Sequence, residues 1–253
     1  MFIDTHCHLT DSYVTGDLDD VLARAAAADV GMMICPTADP IDIPGAIKIA
    51  ENHANIWATI GIHPEYAGVD AAQYLTADVL THPRVIGVGE IGLDYHERND
   101  NQAAQIKLFE QQLELAKKYN LPVAVHTRDA EDDTAAILTG DVCGVMHCFT
   151  SSWNLAKTML DRGFYFSASG ILTFKNAAEI RETFAKIPID RIVIETDSPY
   201  CAPVPYRGKV CEPAFVVETA HVLAQIHDLQ LDKLASILAE NTKRLYPKCH
   251  AVS

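Results

Sequence analysis

Phe2-Ile3-Asp4-Thr5-His6-Cys7-His8 stands at the head of the chain. Phe2, Ile3 and the β-branched Thr5 suit a strand. Successive strand side chains point to opposite faces, so His6 and His8 share one face. Two imidazoles at i and i+2 on a rigid strand can hold one divalent ion. The same pair also suits two surface histidines on an exposed edge. The rest of the chain weighs toward the ion, because Glu90, His126, His147 and Asp197 each end an apolar, strand-like run.

Outward from that stretch, strand-like and helix-like runs alternate. Strands are expected at Phe2 to His8, Met32 to Cys35, Ile56 to Pro64, Val85 to Glu90, Pro122 to His126, Gly144 to Phe149, Phe164 to Ala168 and Arg191 to Asp197. Helices are expected at Leu18 to Asp29, Ile43 to His53, Ala71 to Leu80, Gln102 to Tyr119, Asp129 to Leu138, Trp153 to Arg162 and Ala177 to Lys186, with Phe215 to Ile226 and Leu231 to Leu245 closing the chain. Gln102 to Tyr119 is the clearest of them, with Ile106, Phe109, Leu113 and Ala116 on one stripe. No linker or composition break interrupts the rhythm, so residues 1–253 read as a single domain. Alternation of this kind implies a parallel sheet covered by helices. Eight such units in 253 residues is the size of an α/β (β/α)8 TIM barrel. A doubly wound open sheet is the alternative, but no Gly-x-Gly-x-x-Gly follows the first strand.

Composition narrows the class. The chain is 49% apolar, normal for a globular protein. It has no run of about 18 apolar residues and no basic, then apolar, start, so neither a membrane helix nor a signal peptide is expected. Its seven cysteines form no Cys-x-x-Cys pair, and a reducing cytoplasm is the simplest home. The net charge of −14 repels nucleic acid at long range. This argues against a nonspecific DNA-coating protein. It leaves room for an enzyme that draws a phosphodiester into a metal-lined pocket, because two divalent ions outweigh two carboxylates.

In a (β/α)8 barrel the active site lies at the C-terminal ends of the strands. His6, His8, His63, Glu90, His126, His147 and Asp197 all fall there. A carboxylate has two oxygens, so Glu90 can bridge two ions about 3.5–4 Å apart. His6, His8 and Asp197 can complete one ion, and His126 and His147 the other. Water on such an ion loses a proton near neutral pH, and Asp197 is placed to take it. Glu90 and Asp197 are therefore the candidate catalytic residues. Imidazoles with carboxylates suit zinc, manganese or iron.

The sequence resembles the TatD family of metal-dependent hydrolases, within the amidohydrolase superfamily. The resemblance is carried by Phe2 to Leu9, Gly61-Ile62-His63-Pro64, Gly87 to Tyr95, Pro122 to Arg128, His147-Cys148-Phe149, Ser169 to Asn176 and Glu195 to Tyr200. It implies a TIM barrel, two divalent ions (zinc, manganese or magnesium), a monomer, and phosphodiester hydrolysis. Members are described as deoxyribonucleases, often 3′ to 5′ exonucleases, and some relatives as D-aminoacyl-tRNA deacylases. By matching position, His6, His8, Glu90 and Asp197 would bind one metal, and Glu90, His126 and His147 the other. Glu90 stands where a barrel amidohydrolase with a carbamylated lysine would need Lys. Cys201 and Tyr206 depart from the Leu and His common in the family.

Around these ligands, Arg128 lies two residues past His126, and Arg207 and Lys209 lie in the loop after the eighth strand. Arg128 and Arg207 are candidate phosphate clamps, and Lys209 reads as a surface ion pair. His63 either contacts substrate or packs beside Pro64. Asp4 and Glu195 point inward one layer deeper, either orienting a ligand or making a structural hydrogen bond. Three functions are open: a DNA phosphodiesterase, an ester or amide hydrolase such as a D-aminoacyl-tRNA deacylase, and a metal-binding scaffold without turnover.

Overall fold

A computed structural model describes residues 1–250. The end of the expected single domain, residues 251–253, lies outside the described residues. Eight parallel strands follow in chain order: β1 (Phe2–Asp4), β2 (Val30–Pro36), β3 (Ile56–Thr59), β4 (Val85–Asp94), β5 (Val123–Arg128), β6 (Gly144–Met146), β7 (Tyr165–Ala168) and β8 (Ile192–Ile194). Nine α-helices cover them among the described residues: α1 (Leu18–Ala27), α2 (Ile43–Asn52), α3 (Ala77–Leu80), α4 (Gln102–Tyr119), α5 (Glu131–Ile137), α6 (Trp153–Asp161), α7 (Ala178–Lys186), α8 (Val216–Ile226) and α9 (Leu231–Leu245). Side-chain caps fix some helix starts. Asp17 accepts from the Asp19 N–H before α1, and Ser152 from the Leu155 N–H before α6. None of the helices is long and apolar enough to cross a membrane.

Beyond β8 the sheet meets its own first strand. Thr5 N donates to Ile194 O at 3.0 Å, Asp197 N to His6 O at 2.9 Å, and His8 N to Ser198 O at 2.9 Å. Asp4 reinforces this seam, accepting from Thr196 Oγ1 at 2.5 Å and Thr196 N at 2.9 Å. The result is the expected barrel.

Element ends differ from expectation in informative ways. The regular ladders of β1, β3, β6 and β8 stop at Asp4, Thr59, Met146 and Ile194, short of His6 and His8, His63, His147 and Asp197. Cys148 and Asp197 take left-handed backbone at φ 41° and 56°, which a strand cannot contain. The expected helix from Ala71 to Leu80 splits into a 3-10 turn, Ala71–Gln73, and α3, because Thr76 is extended at ψ 167°. β4 instead runs on past Glu90 to Asp94, through a bulge. Val88 pairs with Val123, and Ile91 with Val125, which leaves one extra residue on β4. The bulge packs tightly on both sides. A Cβ on Gly61 would lie 2.7 Å from the Gly89 carbonyl carbon, and one on Gly89 would lie 2.6 Å from the Ala124 Cβ. Only glycine suits either place.

The apolar interior is filled from below. Ile34, Trp57, Ile86, Ala124, Val145, Tyr165 and Val193 supply one side chain from each of β2 to β8, and Leu245 and Tyr246 pack against them. Helix residues such as Phe109, Leu113, Leu223 and Leu234 cover the outside. Burying each large apolar side chain contributes about 1.5–3 kcal/mol. The polar end of the barrel interior is left to the residues that end the strands.

Candidate metal centre

Glu90 sits at the centre, buried on the bulge of β4. Its two oxygens face different partners. Oε1 lies 3.1 Å from His126 Nδ1 and 3.2 Å from His147 Nε2. Oε2 lies 3.4 Å from His6 Nε2 and 3.7 Å from His8 Nε2. Asp197 Oδ1 completes the second group, 3.9 Å from His6 Nε2 and 3.8 Å from His8 Nε2. These contacts around Oε2 and Oδ1 exceed hydrogen-bond length, about 2.7–3.2 Å. They are close to the ~3.4 Å at which nitrogen and oxygen ligands stand around a tetrahedral zinc with ~2.0–2.1 Å bonds. His6 Nε2 is buried with no hydrogen-bond partner. An orphaned imidazole nitrogen aimed at two carboxylates is what a cation site requires, so the residues fit a divalent metal.

The ring nitrogens away from the centre set the tautomers. His126 Nε2 meets Asp94 Oδ2 at 3.0 Å, and His147 Nδ1 meets Glu195 Oε1 at 2.8 Å. Burial works against protonation, but Asp94 and Glu90 raise His126, and Glu195 and Glu90 raise His147 well above the usual imidazole range. A cation in place of the second proton would leave one proton at each outer contact, and Nδ1 of His126 and Nε2 of His147 to ligate. Burial, with His6 beside it, lowers His8 to about 3, and burial and His147 lower His6. Both are neutral, as ligands must be. Burial opposes ionisation of Glu90, yet the surrounding histidines, His147 and His63 foremost, hold it well below the usual carboxylate range.

His63 differs from the other imidazoles. Its Nε2 lies 3.7 Å from Glu90 Oε1, but its Nδ1 accepts the Glu65 N–H at 3.2 Å. Burial lowers it to about 4, so it is neutral with its proton on Nε2. It presents an N–H donor rather than a lone pair.

The family model for TatD related DNase matches residues 3–247. The chain belongs to the TatD family. It is 38% identical to an uncharacterized metal-dependent hydrolase, YabD, of Bacillus subtilis over 97% of this chain and 99% of that one. It is also 38% identical to the uncharacterized metal-dependent hydrolase YcfH of Escherichia coli, over 96% of this chain and 95% of that one. The crystal structure of YjjV, a TatD homologue from Escherichia coli, superposes with a TM-score of 0.86 at 30% identity, covering 97% of this chain and 98% of that one.

In this TatD-family barrel the centre opens into a cavity of about 460 Å³ lined by His63, Glu97, Arg128 and Tyr200 among others. Arg128 reaches it half-exposed, with Nη1 on Glu97 Oε1 at 2.9 Å. Arg207 does not line it; its guanidinium lies over the Phe174 ring, 3.7 Å from the centroid. The two inward carboxylates part company. Glu195 holds a histidine of the cluster, whereas Asp4 binds Thr196 and the His6 backbone N–H, and no imidazole. Two further residues of this TatD site escape a reading of the sequence. Asp94 holds His126, and the signal was there: Glu90 and Asp94 stand four apart, on one face of a strand. Tyr13 stacks on His8 with centroids 4.4 Å apart, and nothing in the sequence around it announces this.

Proposed function

We propose that this TatD-family metal-dependent hydrolase cleaves phosphodiester bonds, with DNA as its substrate and attack starting from a 3′ end. The observation that carries this reading is the division of Glu90, one oxygen toward His126 and His147 and the other toward His6 and His8. A bridging carboxylate between two donor sets suits in-line displacement at phosphorus, where attacking and leaving oxygens both need stabilising. The family description, TatD related DNase, supports the same choice. His6, His8, Glu90 and Asp197 would hold one divalent ion, and Glu90, His126 and His147 the other. Divalent ions held by these residues would supply an acidified water and charge stabilisation at the phosphate.

The chain's own groups do the rest. Burial pushes Asp197 well above the usual carboxylate range; His147 opposes this, and Cys201, Glu90 and Glu195 add to it. With a cation beside it Asp197 would be ionised, and its second oxygen, Oδ2, turned away from His6 and His8, is placed to take a proton from the attacking water. The Nε2–H of His63 donates to a phosphate oxygen, and Arg128 grips a neighbouring phosphate. One chain carries the full donor set, consistent with a monomer, and the free cysteines suit a reducing cytoplasm.

The test is cleavage of a 5′-labelled single-stranded DNA, beside hydrolysis of a D-aminoacyl-tRNA, at saturating manganese or zinc. Products shortened stepwise from the 3′ end are expected. Ester hydrolysis without DNA cleavage would move the reaction to carbon. Cation binding with turnover of neither would leave a scaffold.

A further inference from the structure

The loops after β6 and β8 bring a second kind of donor to the rim of the same cavity. Cys148, Asp197 and Cys201 each offer an atom within 4.8 Å of the others. Asp197 divides its oxygens as Glu90 does. Oδ1 faces His6 and His8, whereas Oδ2 accepts a hydrogen bond from Cys201 Sγ at 3.4 Å, through a proton that a soft cation would replace. Cys148 Sγ lies 3.2 Å from Ser169 Oγ. Both thiols line the cavity and are only partly buried, whereas Cys7, Cys35 and Cys211 are buried. All three residues take left-handed backbone, at φ 41°, 56° and 53°. Such conformations are costly for residues other than glycine, and clusters of them mark sites.

We propose that Cys148 Sγ, Cys201 Sγ and Asp197 Oδ2 form a further site, for a thiophilic divalent cation of the zinc and cadmium class. Two thiolates and a carboxylate oxygen around tetrahedral zinc stand about 3.8 Å (sulfur to sulfur) and about 3.5 Å (sulfur to oxygen) apart, given bonds of ~2.3 and ~2.0 Å. The Cys201–Asp197 separation of 3.4 Å already matches the second value. The Ser169 hydroxyl or a water supplies the fourth neighbour. Loading is an acid–base step without redox change. Each S–H bond breaks, its electron pair forms the sulfur–metal bond, and two protons pass to solvent for each cation bound. Thiolates select soft cations and discriminate against magnesium and manganese. The site is thus chemically distinct from the imidazole and carboxylate centre, although the two share Asp197.

The test uses the full chain, loaded with manganese and kept reduced with a phosphine. Cadmium chloride is added, and the ultraviolet thiolate-to-cadmium charge-transfer band is followed. Imidazoles and carboxylates give no such band, so the readout is independent of catalysis and of the substrate assigned above. We expect a band that saturates at one cadmium per chain. It is lost in Cys201→Leu and in Cys148→Ser, and kept in Cys143→Ser and Cys249→Ser. In the unmutated chain, cadmium should also protect Cys148 and Cys201 from alkylation by iodoacetamide, read by peptide mass spectrometry; this arm needs no variant to fold. A band of full size in Cys201→Leu, no band at all, or alkylation of both thiols at the same rate with and without cadmium would overturn the proposal.

Discussion

Asp94→Asn is the substitution that separates the two halves of the metal centre. The native carboxylate is nearly inaccessible and fully used. Oδ2 meets His126 Nε2 at 3.0 Å, and Oδ1 accepts the His96 and Glu97 N–H groups, both at 2.9 Å. An amide of the same shape has one acceptor for these three donors. Its NH2 faces either the imidazole N–H or two backbone N–H groups, and neither orientation satisfies both sides. Leaving a buried donor unpaired costs about 1–3 kcal/mol. The ring escapes by moving its proton to Nδ1, which removes the lone pair that faces Glu90. Loss of a group that orients a ligand weakens metal affinity by roughly 10–100-fold. With two cations bound as proposed above, that loss should fall on the one assigned to His126 and His147, while the one assigned to His6 and His8 is nearly unaffected. Titration against a chromophoric chelator reads this as one weakened step and one unchanged step. Two steps at native affinity in Asp94→Asn would refute the reasoning, because His126 would then ligate without its orienting carboxylate.

Three other outcomes follow from the geometry. Glu90→Gln keeps the volume but removes the shared charge; turnover should fall at least about 100-fold, with both cations weakened by metal analysis. Arg128→Ala should raise KM for DNA and leave kcat and metal content nearly unchanged, because its guanidinium lines the cavity but touches Glu97 rather than the cluster; steady-state kinetics on a short oligonucleotide decides it. Burial works against ionisation of Asp94, yet the hydrogen bonds from His126 and the Glu97 N–H hold it well below the usual carboxylate range. Its folded pKa is thus below its unfolded one, near 3.9, so its stabilisation is present above about pH 4 and lost as the pH falls below that. Urea denaturation of the metal-free protein at descending pH should show a shallower acid loss in Asp94→Asn than in the native chain.

The barrel was legible because apolar runs of strand length recur between helical stripes, and α4 and α9 fall at the expected boundaries. The strand ends were less so. Cys148 and Asp197 look like strand continuations in a string of letters, and only the folded backbone reveals the left-handed turns there. Those turns bring His147 and Asp197 close to Glu90. The bulge in β4 is of the same kind: Gly89 hints at it, but the pairing that creates it depends on β5. Asp94 is hidden because Val85 to Glu90 already reads as a complete strand, whereas β4 runs on to Asp94. The stacking of Arg207 on Phe174 is a contact between loops that no local pattern encodes. The identity of the cluster residues was readable one strand at a time. Which oxygen of Glu90 faces which histidine was not.

The hydrogen bonds that join Thr5, His6 and His8 to Ile194, Asp197 and Ser198 carry a consequence for biosynthesis. Thr5, His6 and His8 must wait for partners made almost two hundred positions later. A nascent chain still missing its eighth strand has an open sheet edge and lacks Asp197. Closing contacts of such separation are slow to form. The grouping of His6, His8 and Asp197 is therefore assembled only when the barrel closes, after the eighth strand has left the ribosome. Until then the two histidines stand without the carboxylate that completes their set.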